Sequence, residues 1–327
     1  MKIIIDAFGG DNAPNAVVDG AYRAAADFNV EIALVGDEAK LNAYIKEKGH
    51  ANASVSIIHA NEVISGEDDP VEAIKKKKDS SMVVGLQALT EDKGDAFVSA
   101  GNTGALVTGS TLIVKRIKGI RRAAIALPYP TTKGFALLLD GGANADCSPQ
   151  FLQQFGIMGS IYVSKLFRIE NPRVGLINIG TEDEKGNELS VAANKLLKET
   201  ELNYVGNIES REIPNGAADV IVCDGFTGNI ILKLTEGLAE FLFGNVKKVF
   251  VKNMFTKLSA LFVKKGFKQF KASLDYTEYG GAPILGLSKP VIKAHGSSDA
   301  NAFYHAIRQA IAYKNSGIIE EITTSTK

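Results

Sequence analysis

Clusters of Gly, Asn, Asp, Ser and Thr that suit the binding of a small anion follow short apolar runs in this sequence. Six runs end in this way: IIIDAFGGDNAP, FVSAGNTGA, LLLDGGANADC, GLINIGTE, VIVCDGFTGN and VIKAHGSSDA. The apolar parts are rich in Val, Ile and Leu, which is typical of parallel strands covered on both faces. Ligands of such sheets bind outside the carboxyl ends of the strands. Because small residues there let backbone N–H groups approach an anion, the pattern predicts a phosphate-handling enzyme.

Several known catalytic motifs do not occur. The sequence has no G-x-G-x-x-G after its first strand and no G-x-x-x-x-G-K-[ST], which argues against classical dinucleotide binding and P-loop hydrolysis. H-E-x-x-H, paired C-x-x-C and G-x-S-x-G are also missing. These observations favour loops that hold an oxyanion without a metal or a covalent nucleophile, where orthophosphate itself is the attacking group.

Composition narrows the class of protein. The chain has 327 residues, of which 45% are hydrophobic and 23% charged, enough for one large core or two intergrown subdomains. Its 37 basic and 37 acidic residues balance, which argues against a nucleic-acid partner. Two cysteines, Cys147 and Cys223, favour a reducing compartment. The opening MKIIID predicts a strand and no signal peptide. The sequence contains no uninterrupted run of about 18 apolar residues, so no membrane-spanning helix is expected.

The elements that must position the polar clusters follow from hydrophobic periodicity. Strands are predicted over Lys2–Asp6, Glu31–Gly36, Val55–His59, Ala96–Ser99, Val174–Ile179 and Val220–Asp224. Helices are predicted over Asn15–Phe28, Glu38–Lys48, Pro70–Lys78, Ser81–Glu91, Pro149–Lys165 and Leu189–Lys198, and from about Thr103. Ala123–Leu127 and Phe135–Asp140, joined by PYPTTKG, predict a hairpin or a crossing pair. We therefore expect a single α/β/α domain over residues 1–327, with one large, mostly parallel mixed sheet.

One segment, residues 229–274, lacks strand signals and predicts a helical hairpin that leaves the main body. Its helical stripe consists of Phe243, Val246, Phe250, Met254, Leu258 and Leu261. Gly266 and a break after Leu274 are the expected interruptions. Between Lys247 and Lys271 there are eight lysines and no acidic residue.

This hairpin has two alternative roles. Seven of the sixteen phenylalanines lie between Phe241 and Phe270, and a basic face opposite an apolar face suits an interfacial membrane helix. The same apolar surface suits a homodimer at least as well, and both roles stay open. The residues expected at this surface are Phe250, Met254, Leu258, Leu261 and Phe262.

Seven motifs in order along the whole chain closely resemble those of the PlsX family of bacterial phosphate acyltransferases. They are GGDNAP, SAGNTGA, DGGAN, NIGTE, CDGFTGN, GGAPILG and HGSS. The resemblance implies reversible transfer of a long-chain fatty acyl group from acyl carrier protein to inorganic phosphate, giving acyl phosphate for glycerophospholipid synthesis. It also implies a homodimer, a fold similar to isocitrate and isopropylmalate dehydrogenases and to phosphotransacetylase, and no nicotinamide or metal cofactor. A membrane glycerol-3-phosphate acyltransferase is a further implied partner.

The implied reaction assigns candidate roles to the polar clusters. Phosphate must be oriented toward a thioester carbonyl while donors stabilise the tetrahedral oxyanion. Lys185 is the candidate cation for the developing charge, and His295 the candidate donor to the oxyanion or the leaving sulfur. Carboxylates repel phosphate, so Asp6, Asp11 and Asp224 are expected to orient these groups and not to bind phosphate directly. Alternatively, they take a proton from monohydrogen phosphate. The candidate phosphate-binding residues are Asn12, Asn102, Thr103, Asn144, Asn229 and Ser297.

Other interpretations remain at this level. For Asp6, Asn102 or Asn144 alone, capping of the next helix is about as good an explanation as catalysis. Cys147 is better explained as a small packed residue than as a covalent nucleophile. The alternative activities are a phosphotransacetylase that uses short acyl-CoA, a metal- and nicotinamide-dependent hydroxyacid decarboxylase, and a non-catalytic membrane scaffold.

Overall fold

The computed structural model describes residues 1–273 and 280–325, so the predicted break after Leu274 lies outside the described residues. Within them the chain forms twelve strands. They are β1 (Lys2–Asp6), β2 (Glu31–Gly36), β3 (Val55–His59), β4 (Ala96–Ser99), β5 (Ala124–Ile125), β6 (Leu127–Thr131), β7 (Gly134–Leu139), β8 (Val174–Asn178), β9 (Tyr204–Glu209), β10 (Val220–Val222), β11 (Ala282–Leu285) and β12 (Val291–Lys293).

The strands form two sheets, where the sequence predicts one large sheet. The first has the order β3-β2-β1-β4-β12-β11-β5, and its first five strands are parallel. The second has the order β6-β7-β10-β8-β9, with only β6 antiparallel to its neighbour. The chain crosses between the sheets at Ala126, the single residue between β5 and β6. The predicted hairpin is therefore formed by β6 and β7. The early part of the first predicted run, Ala123–Leu127, is the separate strand β5, which pairs with β11.

The helices described are α1 (Asn15–Phe28), α2 (Glu38–Lys48), α3 (Pro70–Lys76), α4 (Ser81–Thr90), α5 (Thr103–Gly109), α6 (Pro149–Phe167), α7 (Glu188–Lys198), α8 (Gly225–Phe250), α9 (Met254–Ser273), α10 (Ala300–Asn315) and α11 (Ile318–Ser325). A π-helical segment, Ser110–Val114, extends α5, and a 3₁₀ segment covers Ser210–Asn215. Side-chain caps explain several starts: Asp37 accepts from the Lys40 amide, and Asp69 from the Val71 and Glu72 amides.

Helices cover both faces of the sheets, which confirms the α/β/α class. Ile3 and Ile5 of β1 face one layer together with Phe303 of α10, whereas Ile4 faces the other layer together with Leu86 of α4. This alternation is the period of two expected of a strand with both faces buried. All five side chains are almost completely excluded from solvent.

The hairpin consists of α8 and α9, with its turn at residues 251–253. Gly266 lies within α9 and does not interrupt it, because a single glycine weakens a helix without ending it. The predicted stripe is not one surface. Phe243 and Phe250 turn inward and make edge contacts with Phe267 across the two helices, whereas Met254 and Leu258 are exposed.

The exposed side of the hairpin also includes Phe262, while the side chain of Leu261 lies outside the described residues. Among residues 1–273 and 280–325, no helix combines the length and the apolar character that crossing a bilayer requires.

The base of α8 is fixed by a close contact with the loop after β7. A Cβ on Gly228 would lie 2.0 Å from the carbonyl oxygen of Asp140, which is backbone and cannot move aside cheaply. We expect Gly228→Ala to lower the free energy of unfolding by about 1–3 kcal/mol, measured by urea denaturation. Gly237→Ala is the matched control in the same helix, since nothing lies within 4 Å of its added Cβ. That control should be neutral or stabilising by about 0.5–1 kcal/mol, and equal effects of the two variants would contradict the packing argument.

Candidate active site

Five of the six strand-end clusters meet around one cavity of about 750 Å³. The loops after β1, β4, β7 and β12 form about half of its wall, and the rest comes from α8, residues 63–66, residues 125–128 and the segment from Gly280 to Ala282. The NIGTE cluster does not contribute. It follows β8, which is separated from β7 by β10 in the second sheet, so its loop lies too far along the sheet edge.

Glycines allow these loops to approach one another. Gly10 has φ of +101°, and a Cβ there would lie 2.9 Å from both the Ala100 side chain and the Gly296 carbonyl oxygen. Next to it, the Asp11 amide donates to the Gly296 carbonyl at 2.8 Å. The loops after β1, β4 and β12 are therefore packed backbone to backbone at the cavity.

Asp6 lies beneath these loops and does not line the cavity. Its buried carboxylate accepts hydrogen bonds from the Ser81 hydroxyl at 2.6 Å, the Ser99 hydroxyl at 2.7 Å and the Phe8 amide at 3.3 Å. Burial raises the pKa of Asp6, and these hydrogen bonds oppose the rise. Asp6 therefore organises the loop and does not contact a ligand in the cavity.

Asp140 has the corresponding place at the end of β7. Its buried carboxylate accepts from the amides of Ile125, Gly142, Ala143 and Asn144 at 2.7–3.2 Å, and from the Asn144 side chain at 2.9 Å. Burial raises the pKa of Asp140 as well, against the effect of these donors. Since Ile125 belongs to the first sheet, this carboxylate joins the two sheets beside the cavity.

Several predicted phosphate ligands are already occupied by structural hydrogen bonds. The Asn102 amide donates to the carbonyls of Ser65, Gly66 and Asp68, while its oxygen caps α5 through the Ala105 amide. These contacts hold the 65–68 loop against the cavity wall. Asn102 therefore lines the cavity as a positioning residue.

Three more candidates are structural in the same way. Asn144 donates to the Ala123 carbonyl at 2.8 Å, and Asn12 donates to the Ser297 carbonyl at 3.0 Å. Asp224 caps α8 by accepting from the Thr227 amide at 2.7 Å. Neither these residues nor Ser297 line the cavity.

Thr103, Asn229 and Asp11 line the cavity, and we find no hydrogen bond from their side chains to another described residue. Thr103 is the first residue of α5, and Asn229 lies in the first turns of α8 beside Gly142. A hydroxyl and an amide thus face the cavity with their hydrogen-bonding capacity available to a ligand, next to one carboxylate.

Lys293, at the end of β12, is the cation that the sequence analysis missed. Its Nζ lies at the cavity wall and donates to the carbonyl oxygens of Ala100 and Ala294, the first at 3.3 Å. Burial lowers the pKa of Lys293 to about 8, although the charges of Asp6 and Asp11 act in the opposite direction. The available signal was a lysine inside the strand-end motif VIKAHGSS.

The predicted cation, Lys185, is exposed and lies outside the cavity lining. Its carbonyl oxygen accepts from the Asn178 side chain at 2.9 Å, which fixes the loop after β8. A role for Lys185 requires the NIGTE loop to share the crevice with the other loops, but β10 lies between β8 and β7 in the second sheet.

His295 lines the cavity immediately after Lys293 and Ala294. Its Nδ1 accepts from the Ser297 amide at 3.2 Å and lies 2.8 Å from the Ser297 hydroxyl. An acceptor at Nδ1 leaves the proton of the neutral ring on Nε2. Burial, and secondly the charge of Lys293, lower the pKa of His295, so the ring is neutral at pH 7.

The two cysteines are not nucleophiles in this arrangement. Cys147 lies outside the cavity lining, and burial raises the pKa of its thiol to about 12. Cys223 is buried, and its thiol donates to the Asp140 carbonyl oxygen at 3.6 Å. The Nε2 of His50 lies 2.8 Å from the Asp19 carboxylate, outside the cavity lining.

Comparison with known proteins gives consistent relatives. The sequence profile of a family described as "Fatty acid synthesis protein" matches residues 1–321. A phosphate acyltransferase from Alkaliphilus oremlandii is 53% identical over 323 residues, which cover 99% of this chain and 96% of that protein. A phosphate acyltransferase from Bacillus licheniformis is 50% identical over 312 residues, which cover 95% and 93%.

Solved structures with a similar fold are more distant in sequence. A phosphotransacetylase from Streptococcus pyogenes has a TM-score of 0.66 and 19% identity, and covers 96% of this chain and 94% of its own. A 4-hydroxythreonine-4-phosphate dehydrogenase from Klebsiella pneumoniae has a TM-score of 0.52 and 13% identity, with coverage of 96% and 99%. The fold is therefore shared by phosphotransacetylases and a dehydrogenase, as the sequence predicts.

The position of Lys293 makes anion binding depend on pH. Below pH 8 its ammonium is charged and attracts an oxyanion, and above that value the charge is lost. Sulfate keeps its charge over this range, so we expect its affinity, measured by calorimetry, to fall by up to about tenfold between pH 7 and 9. Lys293→Met should weaken binding at pH 7 and abolish the dependence, whereas Lys185→Met should change neither. If Lys185→Met weakened sulfate binding and Lys293→Met did not, Lys185 would be the cation that binds the anion.

Proposed function

The chain belongs to the fatty acid synthesis protein family and is a phosphate acyltransferase, and we propose that its acyl donor is a long-chain fatty acyl group on acyl carrier protein. The product is then an acyl phosphate that serves glycerophospholipid synthesis. The observation that carries this proposal is a cavity with an apolar wall in which a partly buried lysine, Lys293, lies with the hydroxyl of Thr103 and the amide of Asn229, neither of which is hydrogen-bonded to the described part of the chain.

Lys293, Thr103 and Asn229 are proposed to bind phosphate. The ammonium supplies the charge, and the hydroxyl and amide orient the phosphate oxygens. Asp11 lies on the same wall, where it offsets the positive charge of Lys293 and accepts the proton of monohydrogen phosphate. A phosphate held in this way has lost part of its hydration and points one oxygen at the substrate carbonyl.

The reaction needs no covalent enzyme intermediate. A phosphate oxygen forms the new bond to the thioester carbon, the carbonyl electrons move onto oxygen, and their return breaks the C–S bond. The Nε2–H of His295 donates to the carbonyl oxygen as negative charge develops there. The sulfur leaves as a thiolate with an ordinary thiol pKa near 8.5, and it finally takes up the proton that Asp11 accepted from phosphate, which returns Asp11 to its ionised form.

The apolar part of the cavity wall is proposed to hold the start of the acyl chain. Val63, Ile64, Leu127 and Leu232 belong to that part of the wall. A phosphotransacetylase-like reaction with short acyl-CoA is the second candidate, favoured by the similarity of the fold to phosphotransacetylases. The two candidates differ in the carrier and in the length of the chain.

An assay with palmitoyl-carrier protein and labelled phosphate tests this function. We expect a labelled acyl product that hydroxylamine destroys, and a decrease of kcat/KM by about tenfold or more in Asn229→Ala, because that amide contacts substrate. Its melting temperature should be unchanged, since we find no hydrogen bond from this side chain to the described residues.

Cys147→Ser is the control for direct attack and should keep full activity, because its thiol is protonated and lies outside the cavity. Loss of activity in this variant would indicate an acyl-enzyme. Product formation from acetyl-CoA but not from palmitoyl-carrier protein would favour the second candidate.

The hairpin is proposed to divide its exposed surface between two partners. On α8, Phe226, Ile230 and Leu234 are exposed and follow one another at intervals of four residues, a stripe suited to a second copy of the chain. At the other end of the hairpin, Phe255 and Phe262 are each 85% exposed. With the neighbouring lysines they suit the anionic inner face of the cell membrane, where the product is used.

Flotation with vesicles that contain phosphatidylglycerol tests the membrane role. We expect Leu258→Glu and Phe262→Glu to reduce the bound fraction several-fold, since each places a carboxylate on the apolar face that inserts. Ile179→Glu is the control, because Ile179 is 80% exposed in the loop after β8. Binding that resists both hairpin substitutions, or that falls equally in the control, would remove the membrane role.

A further inference from the structure

A short basic loop, residues 115–122, precedes β5. Its sequence KRIKGIRR contains five cations and no acidic residue: Lys115, Arg116, Lys118, Arg121 and Arg122. Within the described part of the chain, none of these five side chains forms an ion pair with a carboxylate. The zero net charge of the protein therefore conceals a local concentration of uncompensated positive charge.

The basic loop is held rigidly. Ile117 and Ile120 are only 4% and 5% exposed and anchor it in the core. The Ile117 amide donates to the Gly286 carbonyl at 2.9 Å, and the Arg121 amide donates to the Gln154 side chain at 2.9 Å. A fixed backbone presents the outward cations with little loss of chain entropy on binding, which favours their use as a recognition surface.

The basic loop is also close to the cavity. Ile125, three residues after Arg122, lines the cavity, and extended chain spans about 3.3 Å per residue, or roughly 10 Å over this distance. A flexible pantetheine arm is longer than this. A carrier docked on the loop can therefore place its thioester in the cavity.

Two other lysine-rich segments differ from the basic loop. In the run Lys75–Lys78, the first two lysines pair with Glu72, and Lys77 pairs with Asp68 at 2.6 Å. The hairpin lysines lie among exposed aromatic side chains that suit lipid. Leu112, beside the basic loop, is a large apolar side chain that is 58% exposed. This surface is enough for one contact with a protein but too little for insertion into a bilayer.

We propose that the basic loop, with Leu112, is the docking surface for the acidic acyl carrier protein, an inference that rests on the proposed carrier-dependent function. Carboxylates on a helix of the carrier would pair with Lys118, Arg121 and Arg122. Such complementarity increases the association rate and fixes the orientation of the carrier relative to the cavity.

The test is the double charge reversal Lys118→Glu with Arg121→Glu. The side chains of Lys118 and Arg121 make no hydrogen bond to the described residues, so their replacement should leave the fold intact. We expect KM for palmitoyl-carrier protein to rise about tenfold or more with kcat little changed, and the salt dependence of KM to flatten. With palmitoyl-CoA, which lacks the carrier, KM should stay the same. Lys46→Glu with Lys195→Glu is the control with an equal charge change at two exposed lysines, and it should behave as wild type.

Each outcome separates the docking surface from the activity. If the wild-type enzyme uses palmitoyl-CoA but not palmitoyl-carrier protein, the proposed function fails before the surface is tested. If the wild type uses the carrier and the charge reversal leaves its KM unchanged, the docking proposal is overturned. It is also overturned if the reversal instead lowers vesicle binding or dissociates the protein in size-exclusion chromatography.

Discussion

Two buried carboxylates, Asp6 and Asp140, are the constraint on which the cavity depends. Asp6 ends β1 and accepts from Ser81 of α4 and Ser99 of β4, whereas Asp140 follows β7 and accepts from Ile125 of β5 and from Asn144 in its own loop. A buried carboxylate is tolerated only when hydrogen bonds replace its hydration. The loops are therefore held in one arrangement, and the groups that face the cavity are positioned before any ligand arrives.

This arrangement also sets the charge in the cavity. Lys293 is half-buried and donates hydrogen bonds to backbone carbonyls. Burial lowers its pKa, while the charges of Asp6 and Asp11 oppose that effect. His295, its neighbour on the wall, becomes harder to protonate for the same two reasons, burial and the nearby ammonium. An incoming dianion would restore the charged state of Lys293, and proton uptake is therefore coupled to anion binding.

The surface outside the cavity separates into regions of different chemistry. The hairpin combines lysines with large exposed aromatic side chains, whereas the basic loop combines arginines and lysines with a single exposed leucine, Leu112. Lipid favours the first combination and an acidic protein the second. These two combinations are the basis of the membrane contact and the carrier contact proposed above.

The sequence by itself determined the local elements: β1 to β4 and α1 begin and end where hydrophobic periodicity and turn residues predict, because these signals involve neighbours along the chain. It missed β9, where Gly206 and Asn207 interrupt the apolar pattern. Five of the six predicted strand-end clusters surround the cavity, whereas NIGTE does not. Only the tertiary structure decided the division into two sheets, the position of Lys293 at the cavity wall and of Lys185 away from it, and the hydrogen bonds that Asn102 and Asn144 make to backbone carbonyls. The physical reason is that strand order and donor–acceptor pairing join residues far apart in sequence, so they depend on contacts that no local pattern contains.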